Sequence, residues 1–320
     1  MRICSLLPSG TEILYALGLG DQVVGVSHEC DYPPDAQSKP KVVRTHIEQE
    51  RASSDEIDQA VRRSLARGES LYQIDADALT RLRPDLLVTQ ELCEVCAIGE
   101  QQVSAALRHL SHRPQVVSLH PHTLDELLAE IPLVGERTGR RREAEALVGS
   151  LRRRIARVRE RLAGVAERPS LDSARDGRPE PVEGRPRVVC LEWLKPPMAS
   201  GHWVPEMVEL AGGTEALGRA GLPSRSVTGE EVAAARPEVV VLMPCGFSIA
   251  RTRAELPLVT SQRWWRALPA VRTGRVFLVN GPAYFNRSGP RLVDGIELLA
   301  GLLHPGRCAE LVPAGSAEPL

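Results

Sequence analysis

Ala144, Leu147, Leu151, Ile155, Val158, Leu162 and Val165 step by three or four positions along residues 137–166. That spacing puts them on one face of an α-helix. Arg141, Arg142, Arg152, Arg153, Arg159 and Arg161 take up much of the remaining surface. A helix of about 28 residues is roughly 42 Å long at 1.5 Å per residue. It is long enough to run along two domains, and the chain on either side of it has the same rhythm. The arginines read as a solvated face, because acidic residues elsewhere bring the net charge to −1. Such a balance gives no overall field for nucleic acid or a membrane surface.

Before the helix, short apolar runs at 3–7, 23–26, 86–89 and 116–119 predict buried strands. Helical patterns follow at 11–17, 53–66, 99–110 and 123–130. After it, strands are predicted at 187–191, 239–242 and 276–279, and helices at 204–211, 230–235 and 291–303. Alternation of this kind predicts an α/β fold: two Rossmann-like lobes with parallel-rich sheets, joined by one long backbone helix. The expected division is a first lobe at 1–136, the helix at 137–166, a linker at 167–186, a second lobe at 187–304 and a tail at 305–320. The linker is rich in Ser, Asp, Gly, Pro and Glu, the composition of a flexible connector. The tail is weakly patterned. No apolar run reaches the roughly 18 residues of a membrane helix. Met1-Arg2 leads straight into the first strand with no apolar leader, which predicts a cytoplasmic protein, or a periplasmic or extracellular one if the N-terminus was trimmed. A monomer is expected.

Ligands of α/β lobes bind beyond the C-terminal ends of the strands. The first strand is followed by Pro8-Ser9-Gly10-Thr11-Glu12, where Ser9 or Thr11 can cap the next helix or touch a ligand. Later strands lead into His28-Glu29-Cys30-Asp31-Tyr32, Gln90-Glu91-Leu92-Cys93-Glu94-Val95-Cys96 and His120-Pro121-His122. In the second lobe the corresponding loops carry Glu192-Trp193, His202-Trp203, Cys245-Gly246-Phe247 and Tyr284-Phe285-Asn286-Arg287. Aromatics are only 3% of the chain, yet Tyr32, Trp193, Trp203, Phe247, Tyr284 and Phe285 all fall in these loops. Their clustering predicts apolar walls for a bulky ligand in the cleft between lobes. Pro8 adds to the walls. Ser9, His28, Glu29, Gln90, His120 and Arg287 offer polar contacts.

Arg2-Ile3-Cys4-Ser5-Leu6-Leu7-Pro8-Ser9-Gly10-Thr11-Glu12, with Leu17-Gly18-Leu19-Gly20-Asp21 beyond it, resembles the opening of the vitamin B12-binding proteins of ABC importers. Leu82-Arg83-Pro84-Asp85-Leu86-Leu87 and Ala235-Arg236-Pro237-Glu238-Val239-Val240 are similar to that family's paired helix-to-strand turns. Leu210-Ala211-Gly212-Gly213 is similar to its second-lobe helix ending. The likeness covers residues 1–166 and 187–304. It implies non-catalytic binding of cobalamin or a related corrinoid, small hinge motion, and an ABC importer permease as partner. The superfamily also serves haem and iron-siderophores. Two acids of the family dock onto permease arginines, and Glu100 and Glu230 match those positions.

Cys30, Cys93, Cys96 and Cys245 all lie in strand-end loops. They allow a second reading, a cytosolic protein whose thiolates hold zinc or an iron–sulfur cluster with possible redox activity. Cys4 and Cys190 sit within apolar strands and read as small core residues. The chain has neither a phosphate-cradling Gly-rich motif nor a Gly-x-Ser-x-Gly elbow, so no enzyme activity is expected.

Overall fold

The computed structural model describes residues 1–47, 52–90, 100–108, 110, 112–165 and 184–320. The chain divides into two compact units. The first comprises 1–121, 125–150 and 288–290, and the second 122–124, 151–287 and 291–320.

In chain order the first unit begins with β1 (Ile3–Ser5), α1 (Pro8–Ala16), β2 (Val23–Ser27), β3 (Lys41–Thr45) and α2 (Ser54–Ala66). It continues with β4 (Tyr72–Ile74), α3 (Ala76–Leu82), β5 (Leu86–Gln90), α4 (Glu100–Arg108), β6 (Gln115–Leu119) and α5 (Leu124–Thr138). The sheet order is β4-β3-β2-β1-β5-β6, parallel except for the β3–β4 pair. Apolar residues on this sheet and its helices, among them Cys4, Val42, Leu79 and Leu87, form a buried core. Helix starts follow local chemistry. Ser53 and Glu56 form a reciprocal capping box at α2. The cap expected from Ser9 or Thr11 does not form. Pro8 occupies the first turn of α1, where its fixed φ suits a helix and its missing N–H costs nothing. The first strand accordingly stops at Ser5, short of the predicted Leu7.

The helix α6 (Arg141–Arg161) starts in the first unit and ends in the second. It buries Ala144, Leu151, Ile155 and Val158 of the predicted face, and Leu162 just beyond its end is buried as well. Arg141, Arg142, Arg152, Arg153 and Arg159 are exposed. The element is shorter than predicted: 21 residues, about 32 Å. Residues 137–138 close α5 instead, and Gly139 at φ 70° breaks the helix between them. Gly164 at φ 89° follows its other end. Both glycines adopt the left-handed conformation that ends helices at little steric cost. Most of the expected linker lies outside the described residues.

The second unit comprises β7 (Arg187–Leu194), β8 (Pro197–Ala199), α7 (Val204–Leu210), β9 (Thr214–Glu215), β10 (Arg225–Ser226), α8 (Gly229–Ala234) and β11 (Val239–Leu242). It goes on with α9 (Ile249–Glu255), α10 (Pro257–Thr260), α11 (Arg263–Arg266), α12 (Pro269–Arg272), β12 (Val276–Val279), α13 (Gly281–Tyr284), α14 (Leu292–Leu303), α15 (Pro305–Cys308) and β13 (Ala317–Pro319). The sheet order is β10-β8-β7-β11-β12-β13, with β9 also pairing β7. The weakly patterned tail completes this sheet, because β13 runs antiparallel to β12. Its short length hid a pairing that only the neighbouring strand supplies. Arg154 of α6 is held within the same unit, where its guanidinium bridges Asp294 and Glu297 on α14.

Candidate functional site

Each unit has a point where the chain leaves a central strand to one side and returns on the other. In the first unit it lies between β1 and β5, since β2, β3 and β4 build outward from β1 before β5 pairs with its free edge. Loops diverge at such a point and leave a crevice beyond the strand ends. Leu6 extends the ladder through its N–H to the Val88 carbonyl at 2.8 Å. A Cβ on Gly10 would come within 2.8 Å of Val88 Cγ1, so glycine lets α1 settle against β5.

The predicted polar residues of this unit gather on strand ends. His28 follows β2, with its Nε2 buried and without a hydrogen-bond partner among the described residues. The nearest carboxylate oxygen, Oε1 of Glu29, is 3.9 Å away. The His28 ring packs 6.0 Å from that of Tyr72. Gln90 ends β5, partly exposed. His120 follows β6, and its backbone N–H donates to the Glu130 carboxylate. Burial pushes Glu130 up to about 7, against the pull of that hydrogen bond. Tyr32 is 45% exposed. Pro8 is partly exposed. Ser9 is buried, and its hydroxyl accepts from Ser288 Oγ at 3.3 Å.

In the second unit the equivalent point lies between β7 and β11, since β8, β9 and β10 build on one side of β7 and β11 on the other. Met243 and Cys245 prolong the ladder by donating to the Leu191 and Glu192 carbonyls at 2.9 and 3.0 Å. Trp193 and Phe247 pack here with ring centroids 5.2 Å apart. The Arg251 guanidinium covers the Phe247 ring at 4.9 Å, a cation–π contact. Trp203 and Phe285 are 5% and 1% exposed, and Trp203 Nε1 donates to the Phe285 carbonyl at 2.7 Å. Trp193 and Phe247 are 8% and 3% exposed, so all four aromatics are packed within the unit. Tyr284 and Arg287, on the same loop, are partly exposed. Glu231 closes the capping box of α8 with Thr228, which leaves the neighbouring Glu230 exposed. Glu100 opens α4, but its side chain lies outside the described residues.

Three polar groups of the second unit had no role in the sequence-based expectations. Glu192 receives the Ser224 hydroxyl. Burial raises its carboxyl to about 7, although the hydrogen bonds from Ser224 and the Gly201 backbone pull the other way. Glu215 accepts the N–H groups of Leu217 and Gly218, each at 3.1 Å, and burial again raises it to about 7. His202 sits at φ 50°, with its ring between those of His122 and Trp203. Desolvation, then the nearby His122, holds it below the usual histidine range. An acid directly after the apolar run Val188-Val189-Cys190-Leu191 was the signal for Glu192. His202 stood beside Trp203 in a strand-end loop, and nothing local marks Glu215.

Cys30 is buried with its sulfur 3.1 Å from Thr11 Oγ1, and Cys245 is partly exposed. Cys93 and Cys96 lie outside the described residues. Among the described residues, no three His, Cys, Asp or Glu side chains converge as ligands for a metal ion. No helix of the described residues is long and apolar enough to cross a membrane.

The family described as periplasmic binding protein matches residues 3–283. The vitamin B12-binding protein of Vibrio cholerae is 25% identical over 302 residues, spanning 92% of this chain and 86% of its own. An uncharacterized ABC transporter substrate-binding lipoprotein of Bacillus subtilis is 25% identical over 308 residues, 95% of this chain and 80% of its own. The crystal structure of a periplasmic heme-binding protein from Pseudomonas aeruginosa superposes with a TM-score of 0.66 at 21% identity, covering 100% of this chain and 94% of that one. The likeness confirms the α/β fold. These findings overturn the expected cytoplasmic location, since the matching family is one of periplasmic proteins and one relative is a lipoprotein. That expectation rested on how the chain begins, which says nothing about where a folded domain works.

Proposed function

Because the chain belongs to the periplasmic binding protein family, we propose that it binds a corrinoid reversibly, without transforming it, and delivers it to an ABC importer. The kinship with a vitamin B12-binding protein along nearly the whole chain carries this reading. The groups on the strand ends have suitable chemistry. A corrinoid presents a broad apolar ring edged with amides, which calls for aromatic surface and a few polar handles. Tyr32 and Tyr284 offer the first, with Pro8 beside them and the buried Trp193, Phe247, Trp203 and Phe285 as support. His28, Glu29, Gln90, His120 and Arg287 offer the second, and Ser9 braces the turn that carries Pro8. The buried, unpaired Nε2 of His28 is a ready hydrogen-bond group for an amide. Glu230, and Glu100 on the other unit, meet the permease. Replacing Glu230 by alanine leaves ligand affinity unchanged and slows uptake into vesicles carrying the importer; a loss of affinity would remove the docking role.

Calorimetric titration with cobalamin, cobinamide and haem tests the ligand. Cobalamin or cobinamide binds with a dissociation constant of about 1 μM or tighter, and haem at least tenfold more weakly. Preference for haem, or no binding of either corrinoid, overturns the assignment.

A further inference from the structure

At the N-terminal end of the first unit's sheet, opposite the strand ends that carry His28 and Gln90, the exposed residues Arg2, Arg81, Arg83, Asp85 and His112 line an open surface cavity of about 370 Å³. We propose that this cavity is a second binding site, for a phosphate monoester dianion. The proposal is independent of the corrinoid reading.

The charges here are not used up by the fold. Asp85 spends one carboxylate oxygen on the backbone N–H of Arg2 at 2.7 Å. The other lies 3.9 Å from His112 Nε2. Arg2 directs its Nε to the Leu82 carbonyl at 2.6 Å. Among the described residues, the Arg81 and Arg83 guanidinium groups have no carboxylate partner. The cavity thus pairs three guanidinium groups and an imidazole with one carboxylate that is already engaged.

The second unit supplies a control built into the chain. It forms the same turn with Arg187, Arg236 and Glu238, and there Ala234 stands where the first unit has Arg81. The turn therefore folds without a guanidinium at that position. A cluster of this kind sets up a local positive potential that draws an anion. Arginine forks fit the oxygens of a phosphate two at a time, and an imidazole adds a further donor. A monoester offers two charges and three terminal oxygens. It can come from a free phosphate compound or from a lipid headgroup.

The test uses the full chain with inorganic phosphate, and separately with phosphatidylcholine vesicles containing phosphatidic acid. Arg81→Ala and His112→Ala are the variants, both at exposed positions. Saturable phosphate binding is expected at a dissociation constant on the order of 1 mM or below, weakened about tenfold by Arg81→Ala and less by His112→Ala, with corrinoid affinity unchanged. Vesicle retention lost in the same variants, without binding of free phosphate, supports the same chemistry with a lipid as its source. If wild type holds neither probe, or Arg81→Ala holds both as well as wild type, the site does not exist. Thermal unfolding of each variant checks that the fold survives.

Discussion

The two units are laid on the same foundation and finished differently. In the first, the Arg2 N–H donates to Asp85 and the Asp85 N–H returns to the Arg2 carbonyl at 2.7 Å. In the second, Arg187 and Glu238 repeat the exchange at 2.9 and 2.8 Å. In both, an arginine before the proline takes a left-handed turn, with φ 43° at Arg83 and 47° at Arg236. At the opposite ends of the sheets the likeness stops. The first unit ends its strands in His28, Glu29 and His120, the second in Trp193, Cys245 and Phe247. The strand starts must satisfy the same backbone groups in each unit, so their chemistry repeats. The strand ends have no packing duty in common, and their chemistry is free to diverge.

The largest expected effect tests whether the second unit's aromatics are core or surface. Trp203→Ala removes a buried ring and its hydrogen bond, at a cost of about 3–5 kcal/mol. Urea unfolding measures it. A loss below about 1 kcal/mol would move Trp203 from the core to the ligand surface.

Acidity separates the units next. Glu192 and Glu215 in the second unit, and Glu130 in the first, are raised to about 7 from an ordinary 4.5. Between those values the folded chain holds protons that the unfolded chain has released. Stability is therefore greatest on the acid side of this window and falls as pH rises through it, with a limiting slope on the order of 1 kcal/mol per pH unit for each group. Denaturant titrations at pH 5, 6 and 7 should show the fall, and Glu215→Gln and Glu130→Gln should each reduce it. A pH dependence unchanged in both variants would mean that these carboxylates are ionised in the fold.

The smallest effect tests the shared foundation. Asp85→Ala and Glu238→Ala each remove one charge-assisted hydrogen bond at an exposed site, worth about 1 kcal/mol. Similar losses in thermal stability support the equivalence of the two turns. A loss confined to one of them breaks it.

Much of the architecture was readable because burial has a period. The apolar face of α6, the runs that became β2, β5, β7, β11 and β12, and the paired Arg-Pro-acid turns all stand in the linear pattern. The short edge strands β4 and β13 were not readable, nor was the break at Gly139. A three-residue strand has no period, and glycine marks a helix end only if the next turn fails to continue. Of the candidate site, the strand-end loops were legible as positions. The split between roles was not: Trp193, Trp203, Phe247 and Phe285 look like ligand aromatics in sequence and are packed inward in the fold, while Tyr32 and Tyr284 keep exposed surface.

The order of residues alone determined the α/β alternation, the connecting helix and the kinship that points to ligand binding, because each is written in neighbouring positions. Tertiary structure alone decided which loop groups are buried, that Glu215 approaches Glu192 and stays protonated to higher pH, and that Arg81 and His112 share a cavity. Those properties depend on distance and dielectric between residues far apart in the chain, and no local pattern encodes them.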